Sequence, residues 1–330
     1  MIVTELHRGQ GLGNQLWAYV VTRVLALDKG FDFGIINSNE FKGRDFLSLD
    51  FGLKLKARPT PDDGLDIILP KGVFNYFSEK NTWYDKFNCD ITDYDPGLLA
   101  VGDDTKIAGY FQSEKYISHR KSEIKSWLTV SAEFDCRDFS NEYTCVLNIR
   151  GGEYKGTPDL ILQKKYWIDA INNMHKIRPD MNFVIVTDDV RYTKKLLPDY
   201  PSFHFTIGKD YSIINNAYYL VLSNSSFSFF PAWTNEVVRH VIAPKYWARH
   251  NISDGFWACA FNLYENWFWQ DREGDLFTFA ECQSEYANYQ ARKNISSMGP
   301  KTPVPRKPYI LRKVNKFLDV LSLIKHKVME

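Results

Sequence analysis

The feature that most constrains the fold is an alternation of short β-branched strands with longer amphipathic helices, which starts twice along the chain. The first series predicts strands and helices at Ile2–Leu6 (strand), Gln15–Leu27 (helix), Phe33–Ile36 (strand), Lys106–Tyr110 (strand) and Ser113–Trp127 (helix). The second predicts Cys145–Arg150 (strand), Leu160–Ile177 (helix), Phe183–Thr187 (strand), Val190–Leu197 (helix) and Phe203–Ile207 (strand). Such alternation is typical of parallel sheets covered by helices on both faces. We therefore predict an α/β fold with two such domains, residues 1–137 and 138–298, and a mostly irregular stretch over 40–70.

Composition excludes several classes of protein. The chain of 330 residues is 44% apolar and 25% charged, which is typical of a folded globular protein and not of a disordered one. Its 41 Lys and Arg against 40 Asp and Glu give a net charge of +1, which argues against a surface built for nucleic acid. The five cysteines lie far apart with no histidine at metal-ligand spacing, so neither a zinc site nor a disulfide framework is predicted.

The charge is unevenly distributed along the chain. Residues 300–330 carry eight Lys and Arg against two acidic residues, a net of +6, so the remaining chain sums to −5. We predict a Pro-rich linker and a basic amphipathic tail helix over residues 299–330, which contacts an anionic membrane. The alternative is a final helix that packs back onto the body of the protein.

The expected location is cytoplasmic. The N-terminus reads as a strand and lacks the basic start and apolar core of a signal peptide. No apolar run reaches the roughly 18 residues that a membrane span needs. With the basic tail, this predicts a protein in the cytoplasm that is peripheral on the inner face of the membrane.

A glycine-rich segment directly follows the first strand: His7-Arg8-Gly9-Gln10-Gly11-Leu12-Gly13-Asn14-Gln15. Glycines let a backbone approach a ligand closely, and the following helix presents free N–H groups to an anion. The dinucleotide pattern G-x-G-x-x-G fails, because Asn14 and Leu16 stand where it needs glycine or alanine. The phosphate-loop pattern fails because no Gly-Lys-Ser/Thr follows. A plain strand-to-helix turn is the alternative interpretation.

A second candidate site lies at the end of the first strand of the second series, the strand predicted over Cys145–Arg150. Arg150 is followed by Gly151 and Gly152, and an arginine at the carboxyl end of a parallel strand lies where open α/β sheets bind ligands. Its guanidinium suits a bidentate contact to phosphate oxygens. The alternative is a surface arginine that pairs with Glu153.

Two further segments carry polar side chains, one at a predicted helix start and one at a strand end. The run Ser223-Asn224-Ser225-Ser226-Phe227-Ser228 predicts a helix start that offers hydroxyl and backbone donors to an anion, or a simple helix cap. Asp188 and Asp189 end another strand, and the two carboxylates predict a helix cap or contacts to ribose hydroxyls. The aromatic clusters Phe256–Trp257 and Trp267–Trp269 predict core filling in preference to a sugar-stacking surface.

Together and in order, these segments resemble the bacterial α-1,2-fucosyltransferases of glycosyltransferase family 11. The similar pairs, from residue 9 to 247, are Gly9–Gln15 with G-G-L-G-N-Q, Gly109–Tyr116 with G-Y-F-Q-S-E-K-Y, Thr187–Asp189 with S-D-D, Ser223–Phe230 with N-S-S-F-S-W-W, and Val241–Trp247 with V-I-A-P-K-x-W. The resemblance implies a GT-B-type α/β fold, two Rossmann-like domains facing each other across a cleft. It implies an inverting, metal-independent transfer of fucose from GDP-fucose to a hydroxyl of a glycan acceptor in an α-1,2 linkage. The acceptor would be a lipid-linked precursor of O-antigen or capsule.

The resemblance also assigns roles to single residues. Arg150 corresponds to the arginine that contacts the donor's β-phosphate, and the catalytic candidates are Arg150, Glu153 and His7, with Asp188 as a further candidate base. The predicted donor-binding residues are Gly11, Gly13, Asn14, Gln15, Arg150, Gly151, Asp188, Asp189, Asn224, Ser225, Ser226, Phe227 and Ser228. No metal is predicted, and no cofactor other than the nucleotide-sugar substrate.

One segment departs from the family pattern. Where the family reads H-x-R-R-G-D-Y, this chain reads Asn148-Ile149-Arg150-Gly151-Gly152-Glu153-Tyr154. The loss of the second arginine loosens the hold on the diphosphate or accommodates a different nucleotide sugar. A glycosyltransferase with another donor and a non-catalytic nucleotide- or sugar-binding module therefore remain alternatives, whereas an oxidoreductase would need the absent dinucleotide pattern.

Overall fold

Two parallel sheets organise this computed structural model, and each contains one of the predicted series. The structure describes residues 1–59, 65–68, 75–80, 83–84, 90–91, 94–252 and 263–296. The strands are β1 Ile2–Glu5, β2 Phe33–Ile36, β3 Lys56–Pro59, β4 Leu65–Ile68, β5 Asn75–Ser78, β6 Trp83–Tyr84, β7 Asp90–Ile91, β8 Thr105–Ala108, β9 Thr144–Ile149, β10 Asn182–Thr187, β11 Ser202–Phe203, β12 Tyr219–Leu222, β13 His240–Pro244, β14 Phe268–Gln270 and β15 Leu276–Phe277. The α-helices are α1 Leu12–Lys29, α2 Lys121–Trp127, α3 Lys164–Ile177, α4 Val190–Leu196, α5 Ile207–Asn216, α6 Ser226–Trp233 and α7 Phe279–Ser296. The predicted α/β class is confirmed.

The first sheet has the order β2-β1-β8-β5, with all neighbours parallel. Helix α1 crosses from β1 to β2, and 13 of its 18 residues are buried. It is covered on more than one side because it packs on the first sheet and also against α6 of the second half. Trp17 of α1 stacks on Phe229 of α6, with ring centroids 4.3 Å apart. The two halves therefore share one apolar core along α1 and α6.

The second sheet has the order β11-β10-β9-β12-β13-β14-β15 and is parallel except for β15. Strands β9 and β12 are completely buried, as expected for strands covered on both faces. Their carboxyl ends, together with that of β10, deliver the predicted segments at Arg150, Ser223 and Asp188 to one edge of the sheet. This edge is where open parallel sheets bind ligands.

Three predicted elements differ in the structure. The strand expected over 203–207 ends at Phe203, and α5 begins at Ile207, where the Thr206 side chain caps it by accepting from the Lys209 N–H. The helix expected over 113–127 is two 3-10 turns followed by the short α2. The helix expected from Leu160 begins at Lys164, because the Asn224 amide holds the Leu160 carbonyl in the preceding loop.

The chain divides into two compact units, Met1–Gln290 and Ala291–Glu330, and both large sheets lie in the first. The predicted domain boundaries at 137 and 298 remain predictions. The predicted linker and tail helix over 299–330 and the rings Phe256–Trp257 lie outside the described residues. In the part of the chain that is described, no helix combines the length and the apolar composition needed to cross a bilayer.

One buried histidine, His250, and one half-buried histidine, His240, make the folded state sensitive to acid. Burial lowers the pKa of His240 to about 4 and the pKa of His250 to about 3. An unfolded histidine has a pKa of about 6.5, so below that pH the unfolded chain binds more protons than the folded one. The stabilising contribution is complete above pH ~6.5 and is lost as the pH falls towards 4, by about 1.4 kcal/mol per histidine per pH unit.

We therefore expect the urea midpoint to fall steadily between pH 6.5 and 4.5. His240 stacks on Phe268 with ring centroids 4.3 Å apart, so His240→Phe keeps an aromatic ring there and should remove about half of this dependence. His7→Gln replaces a histidine that is 65% exposed and should leave the dependence unchanged. An identical slope for His240→Phe and wild type would contradict the assignment.

Candidate functional site

The glycine-rich segment after β1 contains glycines with two different roles. Gly9 has a φ of +83°, and a side chain at Gly9 or Gly11 would meet open space. A Cβ on Gly13, in contrast, would lie 2.2 Å from the backbone carbon of Ser226. Gly13 therefore permits the close crossing of α1 and α6, which explains this glycine by helix packing and not by ligand approach.

Asn14 is where three of the predicted segments meet. Its Oδ1 accepts hydrogen bonds from Gln112 Nε2 at 2.8 Å and from Ser226 Oγ at 2.7 Å. The segment after β1, the segment after β8 and the serine run after β12 are thus joined by one side chain. The structure brings Asn14 and Ser226 together, as expected for residues that share a site between the two halves.

The side chain of Gln15, the neighbour of Asn14, makes its hydrogen bonds to a loop of the first half. The side chain is completely buried; Nε2 donates to the Glu40 carbonyl at 2.8 Å and Oε1 accepts from the Lys42 N–H at 2.9 Å. Both ends of the amide hold the loop before residue 43. The structure gives Gln15 this supporting role and shows no approach of its side chain to the strand ends of the second sheet.

The carboxylate of Glu79, which no sequence pattern identified, holds the turn before Gln112. Glu79 accepts from the Tyr110 N–H at 2.7 Å and the Phe111 N–H at 3.1 Å, and Phe111 has a φ of +50°. Burial raises the pKa of Glu79. This contact stabilises the turn that points Gln112 at Asn14. The G-Y-F-Q-S-E-K-Y segment contained the signal for Gln112, whereas nothing in the sequence marks Glu79.

Arg150 lies at the carboxyl end of β9 and is held by two carboxylates. Its guanidinium pairs with Asp188 at 2.6 Å and with Glu153 at 3.2 Å, and the side chain is 32% exposed. The pairing with Glu153 was the alternative interpretation of Arg150, and the structure contains it. The Gly151 N–H donates to the other Asp188 oxygen at 2.7 Å, which orients that carboxylate.

The two glycines after Arg150 lie close to side chains at and after the end of the adjacent strand. A Cβ on Gly152 would lie 2.3 Å from Asp188 Oδ2, and a Cβ on Gly151 would lie 2.8 Å from the Tyr192 ring. The family's second arginine therefore has no space at position 151 in this loop. Lys155, on the 3-10 turn that follows, pairs with Asp189 and brings a second cation to the same edge.

Two further residues near this edge of the sheet, Asp189 and Asn148, make hydrogen bonds within the protein. Asp189 caps α4 by accepting from the Tyr192 N–H at 2.9 Å, which confirms the capping interpretation for one of the two acids. Asn148, in place of the family histidine, is buried and donates to the Val186 carbonyl at 3.2 Å. This hydrogen bond joins β9 to β10.

The serine run opens α6, as predicted. Ser225 caps the helix by accepting from the Phe227 N–H at 3.3 Å, and the buried Ser228 hydroxyl donates to the Ser225 carbonyl at 3.0 Å. The Phe227 ring packs edge-on against Tyr211. Tyr154 donates to the Asn224 carbonyl at 3.2 Å and so links the loop after β9 to this run; burial raises the pKa of Tyr154 to about 12.

The candidate bases differ in accessibility. His7 is 65% exposed, and Glu153 is 77% exposed although it pairs with Arg150, whereas Asp188 is 23% exposed and is engaged by both Arg150 and the Gly151 N–H. Within the described residues, no three His, Cys, Asp or Glu side chains are placed to share a metal ion. Trp267 and Trp269 are buried among Tyr264 and Phe229, which confirms core filling for these rings.

The resemblance to fucosyltransferases can be compared with the known proteins to which this chain is similar. No protein-family model matches the chain. The chain is similar to an alpha-1,2-colitosyltransferase of Escherichia coli, with 25% identity over 170 residues that cover 46% of this chain and 59% of that protein. It thus spans about three-fifths of the length of this curated relative. The resemblance to fucosyltransferase-like glycosyltransferases is confirmed by this relative.

Solved structures of fucosyltransferases are also similar. Fucosyltransferase NodZ from Bradyrhizobium has a TM-score of 0.43 and 10% identity, and the match covers 73% of this chain and 94% of that one. Arabidopsis thaliana FUT1 in complex with GDP has a TM-score of 0.41 and 9% identity, with 73% of this chain and 69% of that one covered. The two parallel sheets described above agree with the α/β class that the resemblance implies, and the GT-B arrangement of two facing domains stays a prediction.

Proposed function

We propose that this chain is a glycosyltransferase that moves a fucose-like sugar from a GDP-linked donor to a hydroxyl of a glycan acceptor. The observation that carries the proposal is the junction at Asn14, which joins the glycine-rich segment, Gln112 and Ser226 at the strand ends of both sheets. The E. coli relative is named a colitosyltransferase, and colitose is a deoxyhexose closely related to fucose. This supports a deoxyhexose as the transferred sugar, and the GDP carrier follows from the family resemblance alone.

The finer parts of the proposal are inversion, metal independence and an α-1,2 linkage, with a lipid-linked O-antigen or capsule precursor as the acceptor. The basic segment over 299–330 would hold a cytoplasmic enzyme against the anionic membrane that carries such an acceptor. Inversion requires the acceptor hydroxyl to lose its proton, and His7 and Glu153 are exposed enough to accept it.

Transfer from a nucleotide sugar develops negative charge on the departing diphosphate, and cations stabilise that charge. Arg150 supplies one cation at the end of β9, and Lys155 supplies a second close by. Before the donor binds, both cations are paired with Asp188, Glu153 and Asp189. The diphosphate must therefore compete with these carboxylates, and its higher charge favours the exchange at the partly exposed Arg150.

Nucleotide preference tests the proposal. The melting temperature of the full chain is measured with GDP, UDP, dTDP and CMP, because a ligand that binds the folded state alone raises it. We expect stabilisation by GDP, followed by formation of a fucosylated or colitosylated product detected by mass spectrometry. Stabilisation by UDP and not by GDP would show that the donor is a UDP-linked sugar and not a GDP-linked one. Binding of GDP without formation of any product would indicate a non-catalytic module.

A further inference from the structure

The side chain of Asn14 is held by two donors, one from each half of the chain. Asn14 lies in the first turn of α1, and its Oδ1 accepts from Gln112 Nε2 at 2.8 Å and from Ser226 Oγ at 2.7 Å. The oxygen of an amide has two lone pairs, and these two contacts use both of them. The amide of Asn14 is therefore fixed with its oxygen directed at the protein.

The other end of this amide, the Nδ2 atom, remains available to a ligand. None of the described residues accepts a hydrogen bond from Nδ2, and the atom is not sealed from solvent, because Asn14 is half-buried. With Oδ1 turned towards Gln112 and Ser226, the two N–H groups lie on the free side of the amide. Asn14 thus presents two donors in a fixed direction, close to the starts of α1 and α6.

The direction of the Asn14 amide matters because of the charge that its surroundings favour. The N-terminus of a helix carries about half a positive elementary charge, and both α1 and α6 begin here, at Leu12 and Ser226. Outward N–H groups add to this field, which favours an anion, whereas an amide turned over would present an oxygen to that anion. Donors that are fixed before the reaction stabilise the negative charge that develops on a departing diphosphate.

We infer that Gln112 is a positioning residue for the proposed transfer. It donates to Oδ1 and so keeps the N–H groups of Asn14 directed at the departing diphosphate, and this inference rests on the function proposed above. Gln112 is only 5% exposed, so its side chain acts on the substrate through Asn14 and not by direct contact.

The place of Gln112 is determined by the turn that precedes it. Glu79 accepts from the N–H groups of Tyr110 and Phe111, and this fixes the backbone that carries Gln112. The only role that this arrangement gives to the Nε2 donor of Gln112 is the contact with Asn14. A substitution that removes the donor should therefore affect transfer only while the Asn14 amide is present.

A double-mutant cycle between the two residues tests this role. Gln112→Met keeps the length of the side chain and removes the donor to Oδ1, so that the Asn14 amide is free to turn. Asn14→Ala removes the amide itself, and the double variant combines the two changes. Residues that act as one unit give non-additive effects, whereas independent residues give additive ones. We measure kcat with GDP-fucose and, by calorimetry, the dissociation constants of GDP and of GMP, which lacks the β-phosphate.

Two further variants serve as controls. Asn14→Asp keeps an oxygen that accepts from Gln112 and Ser226 but replaces the outward N–H groups by a second oxygen, so the junction is kept and the donors are lost. Gln270→Met replaces another buried glutamine, at the end of β14, whose Nε2 donates to the Tyr166 carbonyl at 2.9 Å. The urea midpoint of each variant shows whether it is folded.

We expect Gln112→Met to lower kcat about tenfold and to weaken the binding of GDP but not of GMP, with no further loss when it is added to Asn14→Ala. Asn14→Ala and Asn14→Asp remove the donors outright and should lower kcat by about 10²- to 10³-fold. Gln270→Met should keep wild-type constants. Wild-type constants for Gln112→Met, or an equal loss in the Asn14→Ala background, would overturn the inference. A wild-type chain that binds no GDP would instead contradict the proposed function.

Discussion

Replacing Arg150 by alanine is expected to abolish sugar transfer while leaving the fold intact. Removing one group that stabilises developing negative charge typically costs about 10²- to 10³-fold in kcat. The loss should be at the upper end here, because Asp188 and Glu153 would be left unpaired beside the departing diphosphate. The pairs themselves are partly exposed and contribute only about 0–1 kcal/mol to stability. kcat with GDP-fucose and the urea midpoint are the two measurements.

Arg178→Ala is the matched control for this variant. Arg178 is 25% exposed, pairs with Asp180 and Glu142, and lies over the ring of Tyr143. It precedes β10 and is therefore at the opposite end of the strand from Asp188. We expect Arg178→Ala to keep wild-type kcat. An Arg150→Ala enzyme within tenfold of wild type would show that Arg150 does not stabilise the leaving group.

Gly13→Ala is expected to produce the largest loss of stability. Its Cβ would lie 2.2, 2.3 and 2.5 Å from the Ser226 carbon, the Ser226 oxygen and the Phe227 nitrogen, which are all backbone atoms. The two helices would have to separate, and such overpacking costs about 3 kcal/mol. The separation would also break the contact between Asn14 and Ser226, so transfer should fall together with stability.

Urea unfolding and transfer assays check this expectation. Gly102→Ala is the control, because a Cβ at Gly102 meets no atom within 4 Å and its backbone is not left-handed. It should unfold at the wild-type midpoint. If Gly13→Ala also unfolds at that midpoint, α1 and α6 are not packed as closely as described.

Much of the architecture follows from local patterns in the sequence. The strands β9 and β10 are read from apolar runs, and helix starts at Asp189 and Ser225 are read from capping side chains, because such signals act within a few residues. The end of the first of these strands also identified Arg150. Local signals failed for α5 and for the 3-10 turns near Glu114. There Glu114 is held by Trp233, more than a hundred residues away, and no local pattern records such a contact.

By itself, the sequence determined the α/β class, part of the order of the elements and several of the segments that meet at the strand ends. Only the tertiary structure decided what the single residues do there. It showed that Gly13 permits the close crossing of two helices and that Gln15 holds a loop. It also showed that Glu79 stabilises the turn before Gln112 and that two carboxylates pair with Arg150. The physical reason is that periodicity and capping depend on neighbours in the chain. Close packing and ion pairing depend on distances between residues that are far apart in sequence.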